Sequence, residues 1–363
     1  MGDDVMERDF LFKYVISLFN EKTCVTTRQL KLIATAKRTP SVLFNVEKNK
    51  LYALFGLFPE MTEKKWEKLS MFLVSNDLLA LQDEHLVLTE KGIKSKTAFS
   101  DQFPVINHLN QLSYYGTLPL FFNRMIFVTQ VLSEYSFRNK NYSPFLSSVN
   151  EQRKLKQWLI EQKLPMNSLT SNWAAELKAM LKTLPTEEAD FISAHFTGYD
   201  VYGETSRQLQ ERYGFSKEEY RVRLQQFNYK ITLLEPTQYP LLSALLKDTH
   251  KECHEGLSHS ANITKQLLEK GKGIDDVARM RKLKVNTIRE HILECVLILN
   301  WPYFKRYISR EKYAACRALL NKKPKLQYAE AKNVVEDLDF FVFRLVEIER
   351  TRRNGQIIEK SGI

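Results

Sequence analysis

Residues 274–292, IDDVARMRKLKVNTIREHI, constrain this chain more than any other stretch. Val277 and Ala278 fall inside one short helix, Leu283 plugs a tight break, and Ile288 and Ile292 anchor a second helix. That order is the one expected of a helix-turn-helix. Asp275 and Asp276 lie in the first turn, where carboxylates meet the positive end of the helix dipole. Lys284, Asn286, Thr287 and Arg289 then point outward from the start of the second helix, where such folds meet a DNA groove. Lys282 occupies the turn, where many such motifs place Gly or Asn.

Charge singles out the same region. The formal net charge is +11, and residues 262–325 alone hold sixteen Lys and Arg against six Asp and Glu, a net +10. Residues 1–100 carry +2, residues 101–261 are neutral, and 326–363 carry −1. Lys305, Arg306, Arg310, Lys312, Arg317, Lys322, Lys323 and Lys325 prolong the basic face beyond the motif. A basic face on one small domain is the footprint of a polyanion partner; the bland alternative is a solvated lysine-rich surface. The candidate DNA-binding residues are Lys282, Lys284, Asn286, Thr287, Arg289, Lys305, Arg306 and Arg310.

At 363 residues the chain has room for two or three domains. Its four cysteines (Cys24, Cys253, Cys295, Cys316) show no disulfide spacing, which suits a reducing cytoplasm. Asp3, Asp4, Glu7 and Asp9 have the wrong sign for a signal peptide, and the apolar run 118–132 is broken by Asn123 and Arg124. A cytoplasmic protein without a membrane span is expected. No P-loop, Gly-x-Ser-x-Gly or His-Glu-x-x-His motif is present, so no catalytic activity and no cofactor are expected. His250, Cys253, His254 and His259 form the one metal-like cluster; four ligands on one helix and its loop rarely close a tetrahedron, so no metal is expected.

Taken in order, residues 1–100 show three helical patterns and then two alternating runs, LLALQ (78–82) and HLVLT (85–89), around Asp83-Glu84. This predicts a β-hairpin, and helices followed by a hairpin suggest a winged helix, with LVLTEKG as its closing strand; a generic α+β domain is the alternative. Residues 101–170 are rich in aromatics (Tyr114, Tyr115, Phe121, Phe122, Phe127, Tyr135, Phe137) at helical spacings. Core packing explains them better than base stacking does. Residues 171–250 carry a second helix-turn-helix pattern: Leu209, the turn Tyr213-Gly214-Phe215, and a capping box Ser216-Lys217-Glu218-Glu219. Gln210 replaces the usual small residue, and Glu218 and Glu219 place negative charge where phosphates would approach. Residues 251–363 hold the basic motif and a tail whose apolar stretch, 338–348, fits helix or strand. The expected fold is mainly α, with tandem helix-turn-helix and winged-helix domains and a small β-hairpin wing near the N-terminus.

The segment LP-x-E-E followed by LQERYGFSKEEYRVRLQQF is similar to the promoter-reading region of sigma factors. The segment SHSANITKQLLEKGKGIDDVARMRKLKVNTIREHILECV (258–296), with YAEAKNVVEDLDFFVFRLVEIER (328–350), resembles the helicase-type helix-turn-helix domain at the C-terminus of RecQ-like helicases. The whole chain resembles the YpbB family of Firmicutes, stand-alone proteins often encoded beside a RecQ-type helicase. That resemblance implies a non-catalytic helicase-associated protein in DNA repair or recombination, with duplex or forked DNA and a RecQ-type helicase as partners. A protein–protein adaptor that never touches DNA, or a transcription regulator, are the competing expectations.

Overall fold

The computed structural model describes the backbone of residues 2–106, 112–324 and 326–360, and the side chains of those between 10 and 352. Lys325 and the acidic residues Asp3, Asp4, Glu7 and Asp9 lie outside the described side chains. The chain forms two compact units, each assembled from two sequence segments. The first joins Met1–Tyr14 to Tyr114–Glu255, and the second joins Val15–Ser113 to Gly256–Ile363. The fold is mainly helical with one small hairpin, as the sequence patterning predicts.

After α1 (Gly2–Ser17), the second unit begins with α2 (Thr27–Ala34), α3 (Pro40–Asn49) and α4 (Glu63–Ser75). Side chains set these helix starts. Thr26 and Gln29 form a reciprocal capping box, Thr39 caps α3 ahead of Pro40, and Thr62 accepts the Lys65 N–H. The hairpin pairs β1 (Leu79–Gln82) with β2 (His85–Leu88), Leu79 opposite Leu88 and Gln82 opposite His85. Asp83 and Glu84 both take positive φ (46° and 64°), the two-residue turn whose twist matches its strands. Val25 bridges Leu86, adding a third short strand segment. The sequence LVLTEKG is only half strand: β2 stops at Leu88, and Thr89 accepts the Gly92 N–H to open α5 (Glu90–Gln102). Gly92 is required there, because a Cβ would come within 2.1 Å of the Leu78 carbonyl oxygen.

The first unit holds α6 (Thr117–Ser136), α7 (Val149–Glu161), α8 (Met166–Leu181), α9 (Thr186–Ser193), α10 (Ser206–Tyr213), α11 (Lys217–Ile231) and α12 (Pro240–Glu252). Phe121, Phe122, Met125, Trp158, Trp173, Phe191 and Phe227 form its core. Of the aromatics read as core from their spacing, Phe121, Phe122 and Phe127 are buried, while Tyr135 and Phe137 are exposed. Buried Arg124 ties three helices together, with Glu151 at 2.8 Å, Glu252 at 2.6 Å and the Thr249 hydroxyl at 3.2 Å. Charged hydrogen bonds on both guanidinium edges offset the cost of burying it.

The second unit resumes with α13 (His259–Glu269), α14 (Ile274–Arg281), α15 (Val285–Leu299), α16 (Arg310–Lys322), α17 (Tyr328–Lys332) and α18 (Phe340–Lys360). The ambiguous stretch 338–348 is thus helical from Phe340 onward, and its Val342, Phe343 and Val346 pack with Cys316 and Leu320 of α16. Helix α3 packs on both α15 and α18, so segments far apart in sequence share one core. Two buried carboxylates mark that junction. Glu294 of α15 accepts from Arg38 at 2.7 Å and from the Ser258 N–H at 2.7 Å. Glu47 of α3 pairs with Arg352, which also donates to the Val296 and Leu297 carbonyls at 3.0 Å, covering the open end of α15. Among the described residues no helix is long and apolar enough to cross a membrane.

Candidate nucleic-acid interface

The helix-turn-helix expected at 274–292 is present as α14, a three-residue turn and α15. Val277, Ala278, Ile288 and Ile292 are buried, as their spacing predicts. Lys282 ends α14 in the left-handed conformation (φ 54°, ψ 41°), and the Leu283 N–H then bonds to the Ala278 carbonyl at 2.9 Å. A lysine therefore takes the backbone shape that Gly or Asn holds more cheaply. Arg281, which the sequence reading left unassigned, clamps α14 to α13. It donates to the Ser260 carbonyl at 2.7 Å and hydroxyl at 2.9 Å, and to the Thr264 hydroxyl. His291 shares this corner, its Nδ1 2.8 Å from the Thr264 hydroxyl. Burial first, and then the Arg281 charge, hold its pKa below the ordinary histidine value, so the ring favours its neutral form.

Lys282, Lys284 and Asn286 are exposed, and Thr287 and Arg289 are half-buried. Lys284 is the N-cap of α15 and makes no side-chain capping bond. The first N–H groups of a helix have no partner within it. In α15 two exposed lysines, Lys282 and Lys284, come just before them, an arrangement suited to a phosphate. Arg289 is the exception among the five. Its guanidinium lies 3.5 Å from Asp339 and 5.8 Å from the centre of the Phe341 ring, so it faces the start of α18. Asp339 also accepts the Val342 N–H at 2.8 Å, capping that helix. The tail residue that engages Arg289 carried no signal in the sequence.

Lys305, Arg306 and Arg310 are exposed but belong to a different element, the 3-10 turn Pro302–Tyr307 and the start of α16. Arg306 lies over the Tyr303 ring at 4.9 Å. The turn is fixed to α13 by Trp301 Nε1 donating to Glu269 at 3.0 Å and Tyr307 donating to the Leu268 carbonyl at 2.9 Å. No hydrogen bond or ion pair among the described residues joins these three cations to the Lys282–Arg289 group.

The first unit contains a local replica. Helices α10 and α14 each have eight residues, and α11 and α15 each have fifteen. Gly214 (φ 67°) takes the place of Lys282, and the Phe215 N–H bonds to the Gln210 carbonyl at 3.0 Å, as Leu283 bonds to Ala278. The surroundings differ. Along α11 only Lys217 is exposed, and Tyr220 and Leu224 pack into the unit's core. The expected capping box is half built: Ser216 accepts the Glu219 N–H at 3.0 Å, but the Glu219 carboxylate pairs with Arg223 at 2.8 Å. Arg223 in turn lies over the Phe215 ring at 4.3 Å. Helix α11 therefore packs much as α15 does, which exposes only Asn286 and Glu290 along its length.

In the histidine-rich stretch, the His250 ring stacks on Tyr114 at 4.5 Å, with its Nδ1 3.1 Å from the Thr117 hydroxyl. His259 falls in the other unit. Among the described residues no group of three or more His, Cys, Asp or Glu is placed to hold a metal ion.

Comparison with known proteins agrees with this geometry. Residues 260–347 match the family described as a helix-turn-helix domain. Over 212 residues the chain is 27% identical to Protein YpbB of Bacillus subtilis (strain 168), covering 56% of this chain and 57% of that protein. The alignment thus spans little more than half of the curated relative. No solved structure matches. The chain therefore contains a helix-turn-helix domain, formed by α13 to α18, and has a distant relative in YpbB.

Proposed function

We propose that this protein binds DNA, duplex or forked, chiefly through phosphate contacts made by the helix-turn-helix of its second unit. It would act as a non-catalytic accessory of a RecQ-type helicase in DNA repair or recombination. One observation carries the reading: exposed Lys282 and Lys284 directly precede α15, whose start has no side-chain cap, inside a segment of net charge +10. Cations spread beyond a single helix favour backbone contact over the reading of specific bases. Exposed Asn286 is the side chain best placed to touch a base edge. The helicase connection draws on the resemblance of 258–296 and 328–350 to the RecQ-associated domain.

The test is fluorescence anisotropy of the full chain with single-stranded, duplex and forked DNA across a salt series, with and without the helicase. Affinity for duplex or fork should fall about tenfold or more over a fourfold rise in salt, as expected when two or more phosphates are neutralised. Lys282→Glu with Lys284→Glu should weaken every substrate alike. Absence of any binding at low salt would sink the reading. Co-elution with the helicase that survives nuclease and high salt would support the accessory role.

A further inference from the structure

We propose that the second unit carries a second nucleic-acid-binding surface, built by α2 and α4, that engages the sugar-phosphate backbone. The proposal rests on the DNA-binding reading above but concerns different residues. Helices α2 and α4 pack together, α4 leads into the hairpin, and Val25 closes the sheet by bridging Leu86. In this winged-helix arrangement α4 shows its outer face to solvent: Lys64, Lys65, Glu67, Lys68, Met71 and Phe72 are all exposed.

The charge on that face is lopsided. Arg28 and Lys31 come from α2, and Lys64, Lys65 and Lys68 from the first half of α4. Glu63 and Glu67 are the acidic residues of α4. Glu63 is already engaged by Lys31 at 2.6 Å, and Arg28 lies close enough to act on the same carboxylate. The ammonium groups of Lys64, Lys65 and Lys68 have no ion-pair partner among the described residues.

Stability does not account for this placement. Cations in the first turns of a helix oppose its dipole, and Lys64 and Lys68 are like charges one turn apart. A cluster that breaks two local rules without an internal partner is what a functional surface looks like. Three exposed lysines on the first half of α4 suit an extended polyanion whose charge repeats along its length. The hairpin turn, Asp83-Glu84, is exposed and acidic. It would repel phosphates, so the contact lies on the helices and the hairpin stays clear of it. Because this surface and the α15 lysines belong to one compact unit, engagement of one raises the effective concentration at the other for any strand that reaches both.

The experiment compares full-length wild type, K282E/K284E and K64E/K65E/K68E on forked and duplex DNA over a salt series, with circular dichroism melting to check folding. K64E/K65E/K68E should lower affinity about tenfold or more at low salt. It should also reduce the slope of log affinity against log salt by about 2 to 3, as three lost phosphate contacts require. Should the reversed triple melt early, K64Q/K65Q/K68Q gives the same test with milder charge loss. D83K/E84K should tighten binding. If wild type binds, K282E/K284E weakens it, and the lysine triple leaves affinity and slope unchanged, the second surface is refuted while the first stands. If wild type binds no DNA, both readings fall. Equal dependence of polyglutamate binding on the same three lysines would mark a general polyanion surface and overturn the assignment to nucleic acid.

Discussion

At the scale of single residues, Lys282 carries two opposed demands. Its left-handed backbone costs an ordinary L-residue roughly 1–2 kcal/mol, whereas glycine pays only an entropic cost of roughly 0.5–1 kcal/mol. Lys282→Gly should therefore stabilise the protein by about 0.5–1 kcal/mol in urea unfolding, the difference between those two costs. The same change should weaken DNA binding several-fold in anisotropy. A variant that gained stability and kept full affinity would remove Lys282 from the interface. Arg289 illustrates the converse. Its position on the helix reads as outward, but Asp339 and Phe341 hold it. Nothing local to residues 274–292 could have announced a partner fifty residues further on.

At the scale of elements, helix starts and the hairpin were legible because their signals are local. Thr26, Thr62 and Ser216 all cap the helices that follow them, and Asp83-Glu84 makes the turn between two alternating runs. Helix α3 was not legible as a partner of α15, since its burial depends on a helix some 250 residues away. Arg352→Ala tests that packing. It strands the buried Glu47 carboxylate and uncovers the end of α15, so a loss of about 3 kcal/mol is expected in urea unfolding. A loss below about 1 kcal/mol would mean the pair is no more than a surface contact.

In the first unit, the Arg124 cluster predicts a pH response. Burial alone would raise the Glu151 and Glu252 carboxyls, but Lys154 and Arg124 outweigh it and hold both below the ordinary carboxylate range. Depressed carboxyls add stability above their unfolded pKa of about 4.3, and lose it as pH falls through the folded value. Thermal melting should therefore weaken on acidification below that point, and Glu252→Gln should show a shallower acid-side fall. Glu176 works the other way. Burial raises it even though it accepts the Leu241 and Leu242 N–H groups, so its protonation favours the fold.

At the scale of the whole molecule, both units are discontinuous, and the basic helix-turn-helix shares its core with residues 15–113. A fragment spanning 256–363 lacks α3 and the Glu47 and Arg38 partners of its own Arg352 and Glu294. It should bind a hydrophobic dye and unfold without a sharp transition, and co-expression with 1–113 should restore cooperative melting. Cooperative unfolding of the isolated fragment would show that its own helices suffice.

Sequence by itself determined the turn at 282–284, the apolar seam at Val277, Ile288 and Ile292, the hairpin, and the concentration of charge in 262–325. Those follow from helical and strand periods, capping chemistry and counting, which need only neighbours along the chain. Tertiary structure decided the rest: α11 and α15 each buried one face in the core of their own unit, Arg289 was drawn to Asp339, and α3 covered α15. Burial and charge pairing act between side chains that meet only in the folded state. The same local pattern can therefore open on two exposed lysines in one unit and on a carboxylate paired with Arg223 in the other.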